Sequence, residues 1–208
     1  MTIVVHHLEN SRSQRVLWLL EELELPYEVR RYQRDKRTML APPELKRVHP
    51  LGKSPLIEDD GQVVAETGAI VEYLVDKAAG RLGAPAEREG ALLYRHFLHY
   101  AEGSLMPPLL VNLVLARIPL FGKAGLRKFR PMVDVHLNYV EAQLAQRPWF
   151  AGSEFTAADV MMSFPLEAAA ARANAREGRP SLSAWLGRIH ARPAYQAALR
   201  AGGPYAYA

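Results

Sequence analysis

The chain of 208 residues contains no cysteine, which excludes disulfide bonds and any mechanism that uses a protein thiol as the nucleophile. It also contains no apolar run near the ~18 residues that a membrane-spanning helix needs. The N-terminal stretch, residues 1–7, is too short and too polar at its end for a secretory signal peptide. These absences predict a cytoplasmic protein that has no membrane partner.

Charge of neither sign dominates, since the net charge is +4 and the basic residues are scattered along the chain. A nucleic-acid-binding protein is expected to show a basic stripe with interleaved aromatic residues, and the sequence has none. The mild positive balance suits a small anionic ligand. His96 and His99 are spaced to share a metal on one helix face, but no third ligand is evident, so we expect no metal site.

The first third of the chain alternates between predicted strands and helices. Strands are predicted at residues 2–7, 27–32, 55–58 and 63–65, and helices begin near residues 11, 43 and 66. The first strand–helix–strand unit implies parallel pairing with a right-handed crossover, and the later hairpin adds an antiparallel edge. This order is the thioredoxin-like α/β pattern.

A linker at residues 79–85 contains two glycines and a proline, and the segments after it show helical spacing of their apolar residues. We therefore predict two domains, a thioredoxin-like domain at 1–79 and an all-α domain at 86–208. One capping box is predicted at Ser11-x-x-Gln14 in the first domain and another at Thr156-x-x-Asp159 in the second.

The stretch around which the chain is organised runs from residue 49 to residue 74. Its segment at residues 50–55, Pro-Leu-Gly-Lys-Ser-Pro, precedes the hairpin, and the pair Glu66-Thr67 follows where the second strand turns into a helix. This stretch resembles the glutathione-binding signature of the glutathione transferase family, in which a Pro-x-Gly-x-x-Pro segment holds a cis-proline. Residues 11–23 are similar to the bacterial and fungal members that carry serine at the active site.

The resemblance implies the glutathione transferase fold and attack of the glutathione thiolate on a small hydrophobic electrophile or on a peroxide. Glutathione is then a co-substrate, no cofactor is required, and the protein is a homodimer. Two alternatives stay open at this point. They are a non-catalytic glutathione-binding or interaction protein, and a glutathione-dependent disulfide reductase.

The resemblance also implies which residues bind glutathione. They are Arg12, Lys53, Ser54, Pro55, Glu66 and Thr67. The backbone of Ser54 is expected to pair with the extended peptide as an added strand does. Thr67 and the free N–H groups of its helix are expected to hold the γ-glutamyl carboxylate, and Glu66 the ammonium group.

The glutathione thiol is expected at the start of the first helix, where a hydroxyl donor and free N–H groups can stabilise a thiolate. Ser11 is the first choice for this donor, and Asn10 or Ser13 could take the role instead. A pocket for the second substrate is predicted from three residues, which are Tyr100, Met106 and Tyr205.

Overall fold

The computed structural model describes residues 2–119 and 122–208. The chain divides into two compact units. The first contains the residues up to Gly83, His190–Ala206 and Ala208, and the second contains Ala84–Ile189 and Tyr207. The predicted boundaries, 1–79 and 86–208, stay a prediction, and they differ from these units in the placement of the last helix.

A mixed four-stranded sheet forms the centre of the first unit, as the sequence predicts. The strands are β1 (Ile3–Leu8), β2 (Tyr27–Tyr32), β3 (Leu56–Asp59) and β4 (Gln62–Ala65). Their order in the sheet is β2-β1-β3-β4. β1 is parallel to β2 and antiparallel to β3, and β3 and β4 form the predicted antiparallel hairpin. The thioredoxin-like α/β pattern is therefore confirmed.

Nine helices are described in residues 2–119 and 122–208, apart from a π-helical turn at Ala101–Leu105. They are α1 (Ser13–Glu22), α2 (Leu45–Val48), α3 (Thr67–Lys77), α4 (Arg88–Tyr100), α5 (Met106–Ala116), α6 (Gly122–Gln146), α7 (Ala157–Ala173), α8 (Pro180–His190) and α9 (Pro193–Gly202). The second unit is mostly helical, as the sequence predicts.

The first helix is covered on several sides. α1 contacts β1, α3 and α9, and every residue from Ser13 to Leu20 is buried as a result. An ordinary surface helix buries only one stripe of side chains. The apolar residues of α1 therefore form the core of the first unit, and the start of this helix is held in place from several directions.

The last helix belongs to the first unit, although the sequence assigns it to the all-α domain. α9 contacts α1 and β2. The Arg192 guanidinium donates to Glu22 at the end of α1, with Nη2 and Oε2 2.8 Å apart, and Arg31 Nη2 of β2 donates to the Ala201 carbonyl at 2.6 Å. These contacts join residues about 170 positions apart, which local sequence patterns do not report.

Gly202 is buried where α9 ends against α1. A Cβ atom there would lie 2.4 Å from Gln14 Oε1, 3.1 Å from Leu17 Cδ1 and 3.2 Å from His7 Cε1. We expect Gly202→Ala to lower the free energy of unfolding by ~1–3 kcal/mol, the usual cost of overpacking. Denaturant unfolding checks this, with Gly187→Ala as the control, because nothing lies within 4 Å of a Cβ at that helical glycine. Equal stability of the two variants would contradict the close packing.

The second unit is organised on α7, which is buried along most of its length. The predicted capping box opens this helix and is confirmed, since Asp159 accepts from the Thr156 backbone N–H at 3.0 Å and from its hydroxyl at 3.3 Å. Asp159 also accepts from the Phe150 N–H at 3.0 Å and from Trp185 Nε1 at 3.1 Å. One buried carboxylate therefore joins a loop, a helix start and a second helix.

Candidate functional site

The strand pairing brings three segments to one edge of the sheet in the first unit. His6 near the end of β1 pairs with Leu56 at the start of β3, and Leu56 pairs with Ala65 at the end of β4. The residues just beyond these positions therefore lie at the same edge. We call this the sheet-edge site and define it as residues 9–13, 53–55 and 66–67.

The proline segment enters this edge as the sequence predicts. The Ser54–Pro55 peptide bond is cis, which confirms the expectation. The Ser54 hydroxyl donates to the His6 carbonyl at 2.8 Å and so attaches the segment to β1. Both ladders of β3 begin at Leu56, so the backbone of Ser54 lies outside them. Lys53 is exposed beside it.

The start of α3 contains an unusual backbone conformation. Glu66 has φ 71° and ψ 123°, a region that a residue with a side chain seldom adopts, and such strain typically costs ~1–3 kcal/mol. Its side chain is exposed, whereas Thr67 is buried. The Glu66 carbonyl accepts the Ile70 N–H at 2.9 Å, so the N–H groups before Ile70 form the unpaired first turn of the helix. Such a turn favours an anionic group.

The turn between β1 and α1 differs from the predicted capping box. α1 begins at Ser13, and Arg12 is its N-cap residue without a side-chain cap. The Ser11 hydroxyl accepts the Ser13 N–H at 3.2 Å, but the buried Gln14 amide has no hydrogen-bond partner among the described residues. The Ser11–Gln14 box is therefore wrong, because Gln14 is buried against Gly202 instead of reaching back to the turn.

The three predicted thiol contacts have different surroundings. Asn10 is half-buried, has a left-handed backbone with φ 50°, and accepts the Ala206 N–H on Oδ1 at 2.8 Å. Ser11 Oγ lies 2.8 Å from Ser13 Oγ. Ser13 is fully buried, and its hydroxyl accepts the Leu8 N–H at 3.2 Å and lies 2.9 Å from His7 Nδ1. The structure thus brings all three together but turns Ser13 into the protein.

The adjacent histidines of β1 contact opposite sides of the sheet, as alternation along a strand requires. His6 Nε2 donates to Glu58 at 2.8 Å, and the Tyr32 hydroxyl lies 2.9 Å from Nδ1. His7 contacts Ser13 instead. Burial is the main cause that lowers the pKa of both histidines, and for His7 the pKa falls to about 4.

This shift predicts that the folded protein loses stability in acid. The unfolded chain binds a proton at His7 below its ordinary pKa of 6.5, whereas the folded protein does so only near 4. We therefore expect the free energy of unfolding to fall by up to ~3 kcal/mol as the pH drops through this window. Urea unfolding at several pH values should show a shallower fall for His7→Gln. The exposed His99→Gln is the control, and parallel curves for wild type and His7→Gln would contradict the assignment.

The residues predicted for a second-substrate pocket divide between the units. Tyr100 and Met106 belong to the second unit, and Tyr205 belongs to the first. The Tyr100 hydroxyl lies 2.6 Å from His136 Nδ1, and its ring stacks on His96. Burial raises the pKa of Tyr100. This pocket stays a prediction.

Two contacts of the sheet-edge site were missed by the sequence analysis. They are the packing of His7 against Ser13 and the hydrogen bond from Ala206 to Asn10. The second joins residues 196 positions apart, and no motif spans such a distance. Among the described residues, no helix is long and apolar enough to cross a membrane.

Comparison with known proteins gives a consistent result. Residues 2–76 match the family model described as "Glutathione S-transferase, N-terminal domain", and residues 124–188 match "Glutathione S-transferase, C-terminal domain". The chain is 38% identical to Glutathione S-transferase 3 of Schizosaccharomyces pombe, over 92% of this chain and 84% of the relative. It is 34% identical to Glutathione S-transferase 1 of Saccharomyces cerevisiae, over 94% of this chain and 93% of the relative.

The fold is also similar to solved structures. A crystal structure of a glutathione S-transferase from Actinobacillus pleuropneumoniae superposes with a TM-score of 0.85 at 32% identity. The superposition covers 96% of this chain and 92% of that one.

Proposed function

This chain belongs to the glutathione S-transferase family, and we propose that its sheet-edge site binds glutathione and conjugates the thiol to small hydrophobic electrophiles. The observation that carries the site assignment is the convergence of Ser54-Pro55 and Glu66-Thr67 with the start of α1 at one sheet edge. A tripeptide needs such a set of separate contacts along its length.

Each end of glutathione has a partner of suitable chemistry at this edge. The backbone of Ser54, outside both ladders, pairs with the cysteinyl residue as an added strand. The free N–H groups of α3 and Thr67 bind the γ-glutamyl carboxylate, and Glu66 binds the ammonium group. The glycyl carboxylate lies beside Lys53 or Arg12.

The chemistry requires a thiolate. A free thiol has a pKa of ~8.5, so a site that stabilises the anion increases the reactive fraction at pH 7. Hydrogen-bond donors and the N-terminus of α1 provide that stabilisation. The thiolate sulfur forms a bond to the electrophilic carbon, and the leaving group departs with the electron pair of the bond that breaks.

The proposal is tested by glutathione titration in a calorimeter, followed by turnover with 1-chloro-2,4-dinitrobenzene, cumene hydroperoxide and 2-hydroxyethyl disulfide. We expect binding and release of chloride from the aryl halide. Binding without turnover of any substrate would identify a binding protein instead. Turnover of the disulfide alone would identify a reductase, and turnover of the peroxide alone would identify a peroxidase.

We also propose that the protein forms a homodimer, because both units expose large apolar side chains. They are Met39, Leu40, Leu51 and Val63 in the first unit, and Leu92, Leu110, Val111, Val114, Ile118, Met132 and Val135 in the second. Light scattering should give twice the chain mass for the wild type and a lower mass for Val135→Glu. A monomeric wild type would contradict this. A cytoplasmic location stays a prediction of the sequence.

A further inference from the structure

We infer that the side-chain amide of Asn10 donates the hydrogen bond that stabilises the glutathione thiolate, while His7 commits both serine hydroxyls to the protein interior. The inference rests on the proposed function and names the residue that performs its central step. It differs from the sequence-based preference for Ser11. Three consecutive sets of hydrogen bonds carry the argument.

The first set fixes the proton positions on His7. Its Nδ1 lies 2.9 Å from Ser13 Oγ, and the ring also donates to the backbone carbonyl of Gly202. A carbonyl oxygen can only accept, and Nδ1 faces Ser13, so the proton sits on Nε2. Burial and the nearby Arg31 lower the pKa of His7 to about 4, against smaller opposing effects of Glu9 and the Gly202 carbonyl. The ring is therefore neutral at pH 7, and Nδ1 accepts.

The second set comprises the hydrogen bonds of the two serine hydroxyls, whose directions follow because His7 Nδ1 accepts. Ser13 has one hydroxyl proton, and the acceptors within its reach both lie inside the protein, His7 Nδ1 at 2.9 Å and the Leu8 carbonyl at 3.3 Å. Ser13 Oγ is then an acceptor for the Leu8 N–H at 3.2 Å and for the Ser11 hydroxyl at 2.8 Å. Ser11 Oγ in turn accepts the Ser13 N–H at 3.2 Å. Both serine protons are used inside the protein, so Ser11 offers a sulfur atom only a lone pair.

The third set leaves Asn10 as the donor. Its Oδ1 accepts the Ala206 N–H at 2.8 Å, which fixes the oxygen toward the C-terminal tail and identifies the other amide atom as the nitrogen. That nitrogen carries two protons. Asn10 is half-buried at the turn that follows β1, and its left-handed backbone is one that asparagine tolerates. A donor to the anion lowers a thiol pKa. Asn10 is thus the catalytic residue, and His7 and Ala206 are positioning residues.

The test measures the pH midpoint of thiolate absorbance for glutathione bound at saturation. Asn10→Gly removes the amide and keeps the positive φ without strain. We expect it to raise the midpoint by ~1 pH unit, a tenfold loss of thiolate at low pH. Asn174→Gly is the matched control, because that asparagine has φ 49° at the end of α7, and its midpoint should equal that of the wild type.

Ser11→Ala is compared in the same assay. It removes the acceptor for the Ser13 N–H and should lower stability by ~1 kcal/mol, but its midpoint should shift less than a third as far as that of Asn10→Gly. Unfolding is measured in parallel, so a folding loss and a thiolate effect are separated. A larger shift in Ser11→Ala than in Asn10→Gly would overturn the inference.

The positioning role of Ala206 has its own variant. Ala206→Pro removes the N–H that orients Asn10 and should raise the midpoint by ~0.5 pH unit, which is about a threefold loss of thiolate at low pH. Ala208→Pro at the C-terminus serves as the control. An unshifted Ala206→Pro would overturn that role. A wild type that binds no glutathione would refute the proposed function itself, whereas a wild type that binds and conjugates but responds only to Ser11 would refute this inference alone.

Discussion

Asp159→Ala is expected to lower the free energy of unfolding by ~3 kcal/mol or more and the melting temperature by ~10 °C. Asp159 is fully buried and accepts hydrogen bonds from two backbone N–H groups, a hydroxyl and the Trp185 indole. Alanine leaves these donors buried without an acceptor, and each orphaned donor costs ~1–3 kcal/mol. Thermal and denaturant unfolding measure the loss.

Asp76→Ala is the control for this variant, because Asp76 is an exposed helical carboxylate. It should change stability by less than ~0.5 kcal/mol.

The pH dependence of stability provides a second check on the role of Asp159. Burial raises the pKa of Asp159 from 3.8 to about 6, so folding takes up a proton between these values. The contribution of Asp159 to stability is therefore greatest below pH 3.8 and declines as the pH rises toward 6. Asp159→Ala should lack this dependence of stability on pH. An unchanged pH dependence in Asp159→Ala would contradict the assignment to Asp159.

Glu66→Gly is expected to weaken glutathione binding about 10- to 100-fold while raising the free energy of unfolding by ~1 kcal/mol. Affinity falls because the substitution removes the carboxylate that binds the ligand's ammonium group. Stability rises because a backbone φ of 71° is strained for glutamate and ordinary for glycine. Calorimetry and denaturant unfolding on the same variant measure the two effects.

Three matched variants separate the causes. Glu66→Gln keeps the strained backbone and should weaken binding without any gain in stability. Asp60→Gly relieves a positive φ of 49° in the hairpin turn, so it should gain stability and keep its affinity. Lys53→Ala should weaken binding less than about threefold, because an exposed lysine acts through solvent. Normal binding by Glu66→Gln would show that the γ-glutamyl end lies elsewhere.

The elements that the sequence predicted correctly depend on neighbouring residues. The four strands and the hairpin follow from alternation and turn residues within a few positions. The Thr156–Asp159 box is confirmed because its partners are three residues apart and the helix start is buried with them. The same pattern failed at Ser11 and Gln14, because tertiary packing of Gln14 against Gly202 outweighed the local capping preference.

The sequence by itself determined the family, the order of strands and helices along the first unit and the residue types at the sheet edge. Those features rest on periodicity and motifs, which act over a few residues. Only the tertiary structure decided that α9 packs on α1, that His7 contacts Ser13, and that the Ala206 N–H donates to Asn10. The direction of a hydrogen bond depends on every donor and acceptor around it. In this site those groups come from both ends of the chain, and folding alone brings them together.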